Sequence, residues 1–419
     1  MPHAVHVIGA GLAGRSAAVR LAAEGHRVTV HEAAPHAGGR CRSYFDQTLG
    51  MTIDNGNHLV LSGNRATLAF LATIGAADRL AGPPSAAVDF ADLATGERWT
   101  LRPNEGRIPW WVFDARRRVP GTRPLDYLPA ARLLRARPSQ TIGEVLACKG
   151  ALYERLLHPF LLAALNTEPP AASAALAGAV IRETLAAGGA ACRPLIARDG
   201  LGPTFIEPAL RFLEQHGGTV RFGRRLRAIG AADATSVLRD LAFGEEDSLH
   251  LGAADAVILA VPPPVAAALI PGLPVPTEFR AIVNAHYRVA PPKEFPPMIG
   301  VINGLAEWIF AFPDRLSVTI SGADRLLDTP REDLAAKIWS DIKQLATLPS
   351  PMPPWQIVRE RRATFAATPE QDSLRPGPQT RWRNLALAGD WTATGLPATI
   401  EGAIRSGNRA AETIAATFA

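Results

Sequence analysis

The chain has 419 residues, 47% of them hydrophobic and 20% charged, which is too long for one ordinary core and too apolar for disorder. Its net charge of +5 accompanies no nucleic-acid-binding module, so nucleic acid is not an expected partner. Three cysteines, Cys41, Cys148 and Cys192, are too few and too scattered for a disulfide framework or a zinc site; no metal is expected, and the pattern suits a reducing cytoplasm.

In chain order, residues 3–8 read as a strand, 11–24 as a helix rich in Ala and Leu, Gly25 as its cap, and 27–32 as a second strand. No secretory leader is expected, because this strand starts a few residues after Met1 with no basic segment before it. A short strand and a helix follow within 51–75. From 76 to 195 the texture changes: Trp, Pro and Arg cluster, with helical patterns at 127–137, 141–165 and 171–188. Strand character returns in 217–261. The uncharged run 256–277 is long enough to span a bilayer, but prolines 262, 263, 264, 271, 274 and 276 forbid a continuous helix. A buried strand followed by a Pro-rich turn is expected there, and no transmembrane segment. Strands at 298–303, 308–312 and 316–321 precede a helix at 331–346, and the last 35 residues read as strand, loop and helix. The expected architecture is α/β (α+β). A discontinuous dinucleotide-binding domain (1–75, 196–265, 355–419) is interleaved with a substrate-binding domain (76–195, 266–354).

Gly9-x-Gly11-x-x-Gly14, with Ala13 inside it, lies between the first strand and helix. The first glycine allows a tight turn, the second lets backbone approach a pyrophosphate, and the third lets helix and strand pack closely. Glu32, eighteen residues beyond Gly14, can accept ribose hydroxyls and would repel a 2′-phosphate. Gly38-Gly39-Arg40 follows, with glycines that let a loop pass close to a cofactor and an arginine to offer charge to pyrophosphate. Near the other terminus, Gly389-Asp390 ends an apolar strand and places a carboxylate for a ribityl chain. A cofactor contacted from both ends of the chain is long, and the expectation is FAD. No cysteine lies near the C-terminal motif, so the FAD is expected to be noncovalent.

Ile53-Asp54-Asn55-Gly56-Asn57-His58 offers His58 as a proton donor and Asp54 as its orienting partner. Alternatively, Asp54 caps a turn and His58 bonds backbone or flavin. Cys41 reads as a packing residue. Residues 107–137 carry eight arginines against Asp114 and Asp126, a net of +6, beside Ile108-Pro109-Trp110-Trp111-Val112-Phe113. This combination suits an anionic membrane surface, and 107–137 is the expected docking segment. A solvated basic face over a buried Trp pair is the alternative.

These motifs together resemble the flavin amine oxidase and phytoene desaturase superfamily. Within it the chain is similar over its length to the hydroxysqualene dehydroxylases of bacterial hopanoid biosynthesis. The more particular pieces are Gly38 through Phe45, Ile53 through Leu59, Ser62-Gly63-Asn64, Pro159 through Thr167 with Ala172-Ser173-Ala174, and Ala388 through Glu401. The resemblance implies a Rossmann-like FAD domain in which Thr399 and Ile400 amides face the flavin, Leu226 contacts adenine through its backbone, and Gly56 and Asn57 run past the flavin ring. It further implies reductive loss of the hydroxyl of hydroxysqualene, with hydride from reduced flavin, to give squalene. The expected partners are that polyene and an anionic membrane, and the expected location is cytoplasmic, peripheral on the inner face of the cytoplasmic membrane. Oligomeric state stays open. Two rivals remain at this point: an oxidative carotenoid desaturase or amine oxidase of the same superfamily, and a non-catalytic flavin-binding membrane protein.

Overall fold

The computed structural model describes residues 3–231, 236–348 and 351–418. Three distant pieces of chain meet in one five-stranded sheet, ordered Thr219–Arg221, Arg27–His31, Ala4–Ile8, Ala256–Leu259, Leu385–Leu387, with every neighbouring pair parallel. A parallel sheet is covered on both faces, which is why all four residues of Ala256–Leu259 are apolar and buried. Ala256 and Ile258 join Val5, Val7, Val28 and Val30 against helices Leu12–Ala23 and Ile400–Phe418. Val257 and Leu259 point the other way, onto Leu238, Leu241 and Phe243 of an antiparallel three-stranded layer, Ala228–Ala231, Leu238–Ala242 and Ser248–His250. The two covering helices nearly touch: a Cβ on Gly407 would stand 2.2 Å from the Ala13 carbonyl oxygen.

The second large sheet has seven strands, ordered Trp355–Phe365, Phe279–Tyr287, Arg315–Ile320, Trp308–Phe312, Met298–Ile302, Val88–Asp92, Arg98–Leu101. Its alternation sorts two faces. Val283, Ala285, Tyr287, Val318 and Ile320 pack on helix Arg331–Leu345 through Leu334, Ile338 and Ile342. Phe90, Met298, Trp308 and Phe310 turn toward the helical insertion and Leu133, Leu156 and Leu161.

Three sequence expectations change. Strand Trp355–Phe365, expected with the dinucleotide-binding half, pairs with Phe279–Tyr287, and the chain rejoins the parallel sheet only at Leu385. The expected helix 141–165 is interrupted, with Ile142–Val145 separated from the continuous turns Tyr153–Leu157 and His158–Leu165. Prolines 262, 263 and 264 do not form a bare turn; Pro262 caps helix Pro263–Leu269 and the other two open it. First-turn amides have no intrahelical acceptor, so proline costs nothing there. Among the described residues no helix is long and apolar enough to cross a membrane.

Candidate active site

The three N-terminal glycines divide their work. A Cβ on Gly9 (φ +107°) would lie 2.4 Å from the Ala260 carbonyl oxygen, and one on Gly14 would lie 2.0 Å from that of Gly9. Both are needed by the protein's own packing. A Cβ on Gly11 would meet nothing within 4 Å, so open space stands where the helix Leu12–Ala23 presents its positive end. The Gly38-Gly39 loop lies over this space: Gly38 N–H donates to the Ala10 carbonyl (3.0 Å), and a Cβ on Gly39 would be 3.6 Å from Gly11 Cα. Glu32 holds the edge, accepting the Ala10 amide on one oxygen (2.7 Å) and the Ala34 amide on the other (2.8 Å). Each oxygen keeps acceptor capacity for ribose hydroxyls. Arg224 N–H donates to the Glu32 carbonyl, which brings buried Leu226 to the same end. Ala13 serves mainly as packing, with its carbonyl under Gly407.

The expected residues from the two termini touch. The Arg40 guanidinium donates to both Asp390 oxygens (2.7 and 2.8 Å) and to the Ala363 carbonyl. Asp390 follows Gly389, whose φ of +155° and closeness to the Trp391 indole (2.3 Å from a Cβ) exclude a side chain. Beneath it the buried Arg375 bonds the carbonyls of Asp390 and Thr392 and pairs with Asp372. The sequence reading missed this support. Thr399 caps the C-terminal helix through its hydroxyl, which accepts the Gly402 amide (3.0 Å). That leaves the Ile400 and Glu401 amides as donors at the helix's positive end. Glu401 itself is occupied by the Ala66 and Thr67 amides and the Thr67 hydroxyl.

On the substrate side, the expected pair of His58 and Asp54 is not formed. Asp54 accepts from the Ser43 hydroxyl (2.5 Å) and the Leu201 amide (2.9 Å), pegging strand Met51–Asp54 to the helical turn at 202–206. Burial pushes its carboxyl up. The half-buried His58 is driven down to about 4 by burial and then by the Arg40 charge, so its imidazole is neutral near pH 7 and is not an acid in imidazolium form. Asn57 and Gly56 lean on the seven-stranded sheet: Asn57 Nδ2 donates to Thr319 Oγ1 (3.1 Å), Thr319 donates to Asn284 Oδ1 (2.8 Å), and Asn284 Nδ2 donates to the Asn55 carbonyl (3.4 Å). A Cβ on Gly56 would be 3.1 Å from Asn284 Nδ2. His286, hydrogen-bonded to Ser317 (2.8 Å), is lowered to about 3 by burial. Asn284, His286, Ser317 and Thr319 were visible only as alternate polar residues inside apolar strands.

Other motif residues prove structural. Asn166 takes a left-handed conformation (φ 49°) to end helix His158–Leu165 and binds Thr364 and the Gly322 amide. Thr167 accepts the Ala367 amide. Burial pushes the Cys41 thiol up to about 12, in keeping with packing. Near it lies an unforeseen group: Arg15 is fully buried, lowered to about 10 by burial, and among the described residues none of its guanidinium nitrogens has a hydrogen-bond partner.

The open space before Gly11, the Glu32 carboxylate, the Arg40–Asp390 pair and the free amides of two helix ends fit an extended dinucleotide. Residues 12–415 match the family described as flavin containing amine oxidoreductase. Hydroxysqualene dehydroxylase of Rhodopseudomonas palustris is 58% identical over 417 residues, 99% of each chain. That of Sinorhizobium fredii is 56% identical over 412 residues, 98% of each. Cyclohexylamine oxidase from Brevibacterium oxydans IH-35A, at 16% identity, covers 100% of both chains with a TM-score of 0.72 and shares the fold. The chain therefore belongs to the flavin-containing amine oxidoreductases and, among them, to the hydroxysqualene dehydroxylase family.

Proposed function

We propose that this flavin oxidoreductase holds FAD noncovalently and reductively removes the hydroxyl of hydroxysqualene to give squalene. The observation that carries the reading is the near-complete coverage of the R. palustris dehydroxylase, which spans the substrate half as fully as the dinucleotide half. Reduced flavin, when bound, supplies the hydride. The balance is then simple: the allylic C–O bond breaks, a proton joins the departing oxygen as water, and the hydride closes the new C–H bond.

The chain's own residues suit that balance. Glu32 would hold ribose, Arg40 and the Leu12 and Ile400 helix ends the negative charge, and Asp390 the ribityl chain. Trp308 is the cross-strand neighbour of Thr319, and Phe310 that of Ser317, so the sheet face passes from hydrogen-bonding residues to aromatic ones. An apolar wall excludes water from a developing allylic cation, and ring faces attract positive charge. Neutral His58 would orient a water or the substrate hydroxyl, and the proton that leaves with the oxygen would come from solvent through that water.

The oxidative alternative predicts the opposite flow of electrons. Anaerobically reduced holoenzyme mixed with hydroxysqualene is expected to yield squalene, identified by mass spectrometry. Product formed only by oxidised enzyme would support the desaturase reading, and no reaction in either state the non-catalytic one.

A further inference from the structure

We propose that the face carrying Ile108, Trp110, Phe113, Leu125 and Leu128 docks this protein on an anionic lipid bilayer. Among the described residues nine large hydrophobic side chains are exposed, and these five fall within 21 residues, at 79%, 51%, 73%, 73% and 63% exposure. Scattered exposed hydrophobics are ordinary, whereas such a cluster marks an interface.

The patch is presented on a fixed frame. In the tight turn Trp110–Phe113, Trp111 and Val112 are buried while Trp110 and Phe113 point outward. The expected Trp pair is thus split between core and surface. Asn104 ties the turn from below, donating to the Gly106 and Ile108 carbonyls and accepting the Trp111 amide. Tyr127, on the helical turns Pro124–Arg135, meets Trp111 edge-on at 5.3 Å and accepts the Val119 amide, which holds Leu125 and Leu128 beside the same frame.

Charge selects the occupant. The segment 107–137 carries eight arginines against two aspartates, and Arg117 lies over the Trp110 ring at 4.6 Å. Asp114 is already engaged by Arg116. Two copies of this face brought together would oppose +6 to +6, so self-association through it is disfavoured, while phosphate headgroups complement it and Trp and Arg suit the interfacial layer. A cavity of about 660 Å³ opens at the patch, lined by Arg102, Asn104, Arg107, Ile108 and Trp110. If the substrate is the polyene proposed above, this opening faces the phase that dissolves it; docking itself does not depend on that reading.

The test is flotation of the purified holoenzyme with vesicles of phosphatidylcholine alone or mixed with phosphatidylglycerol. Binding is expected only to the anionic vesicles and to weaken with salt. The triple variant Phe113→Ser, Leu125→Ser, Leu128→Ser should bind about tenfold or more weakly. Arg116→Gln, Arg123→Gln, Arg132→Gln together should lose on the order of a hundredfold. Flavin content and melting temperature should stay at wild-type values in both, because the changed side chains are exposed. Equal binding to both vesicle types, or full binding by both variants, would overturn the proposal. So would a wild-type dimer in vesicle-free buffer that the serine variant converts to monomer. Vesicle binding needs no turnover, so a failed dehydroxylation assay leaves this result standing.

Discussion

Arg15, fully buried, and Glu307, half-buried and 3.8 Å from Arg325, are both charged groups shifted by desolvation. Arg15 lies near Glu32 and Cys41 with its guanidinium nitrogens unpartnered among the described residues, so the apoprotein carries the desolvation of a cation without its usual compensation. Arg15→Met should raise apoprotein stability by about 1–4 kcal/mol in a denaturant melt. A comparable loss would mean the guanidinium has a partner that the geometry does not show. Glu307 accepts the Ser321 amide (2.7 Å), and burial lifts its carboxyl to about 7 from 4.5. Its folded pKa lies above the unfolded one, so it costs stability as pH rises from about 4.5 through 7. His58, His31 and His286, lowered to about 4, 3 and 3, work in the opposite sense and cost stability as pH falls below 6.5. Glu307→Gln should therefore stabilise more at pH 8 than at pH 5, by about 1–3 kcal/mol, in paired urea titrations. Equal effects at the two pH values would contradict that origin. Apart from His58, none of these groups announced itself in the sequence, because burial of a charged side chain is decided by tertiary packing.

Among the elements, the glycine turn at the first helix makes two opposite demands. Gly14→Ala drives a methyl into backbone and should lower apoprotein stability by about 1–3 kcal/mol or more. Gly11→Ala adds a methyl in open space and should leave the apoprotein melt unchanged while lowering the flavin-to-protein ratio after purification. Matching effects of the two variants on stability would mean Gly11 is not reserved for the cofactor. Elements with a strong period or a clear cap were legible: the opening strand–helix–strand, the strands around 298–320 and helix Arg331–Leu345. Helix Pro263–Leu269 was hidden because proline signals both turns and helix starts. The place of Trp355–Phe365 was hidden because its pattern specifies a strand and leaves the partner open. For the same reason the alternate polar residues Asn284, His286, Ser317 and Thr319 acquire meaning only once the 54–58 block rests on them.

Across the whole molecule, residues 350 positions apart meet as one ion pair, Arg40 with Asp390, and one parallel sheet gathers strands from the beginning, middle and end of the chain. That closure was readable from the paired terminal motifs, since a long cofactor needs both. The expected pairing of His58 with Asp54 is not formed, because adjacency in sequence says nothing of which way a buried carboxylate turns. What results is a space that fits an extended dinucleotide on one side, a sheet that passes from polar to aromatic on the other, and the 54–58 block hydrogen-bonded to that sheet. The most direct test of that arrangement is a single anaerobic turnover: reduced holoenzyme, free of excess reductant, mixed with hydroxysqualene while flavin absorbance and product are followed together. One squalene formed for each flavin reoxidised, with water as the only other product, is the predicted result. Flavin that stays reduced, or squalene formed without flavin oxidation, would contradict it.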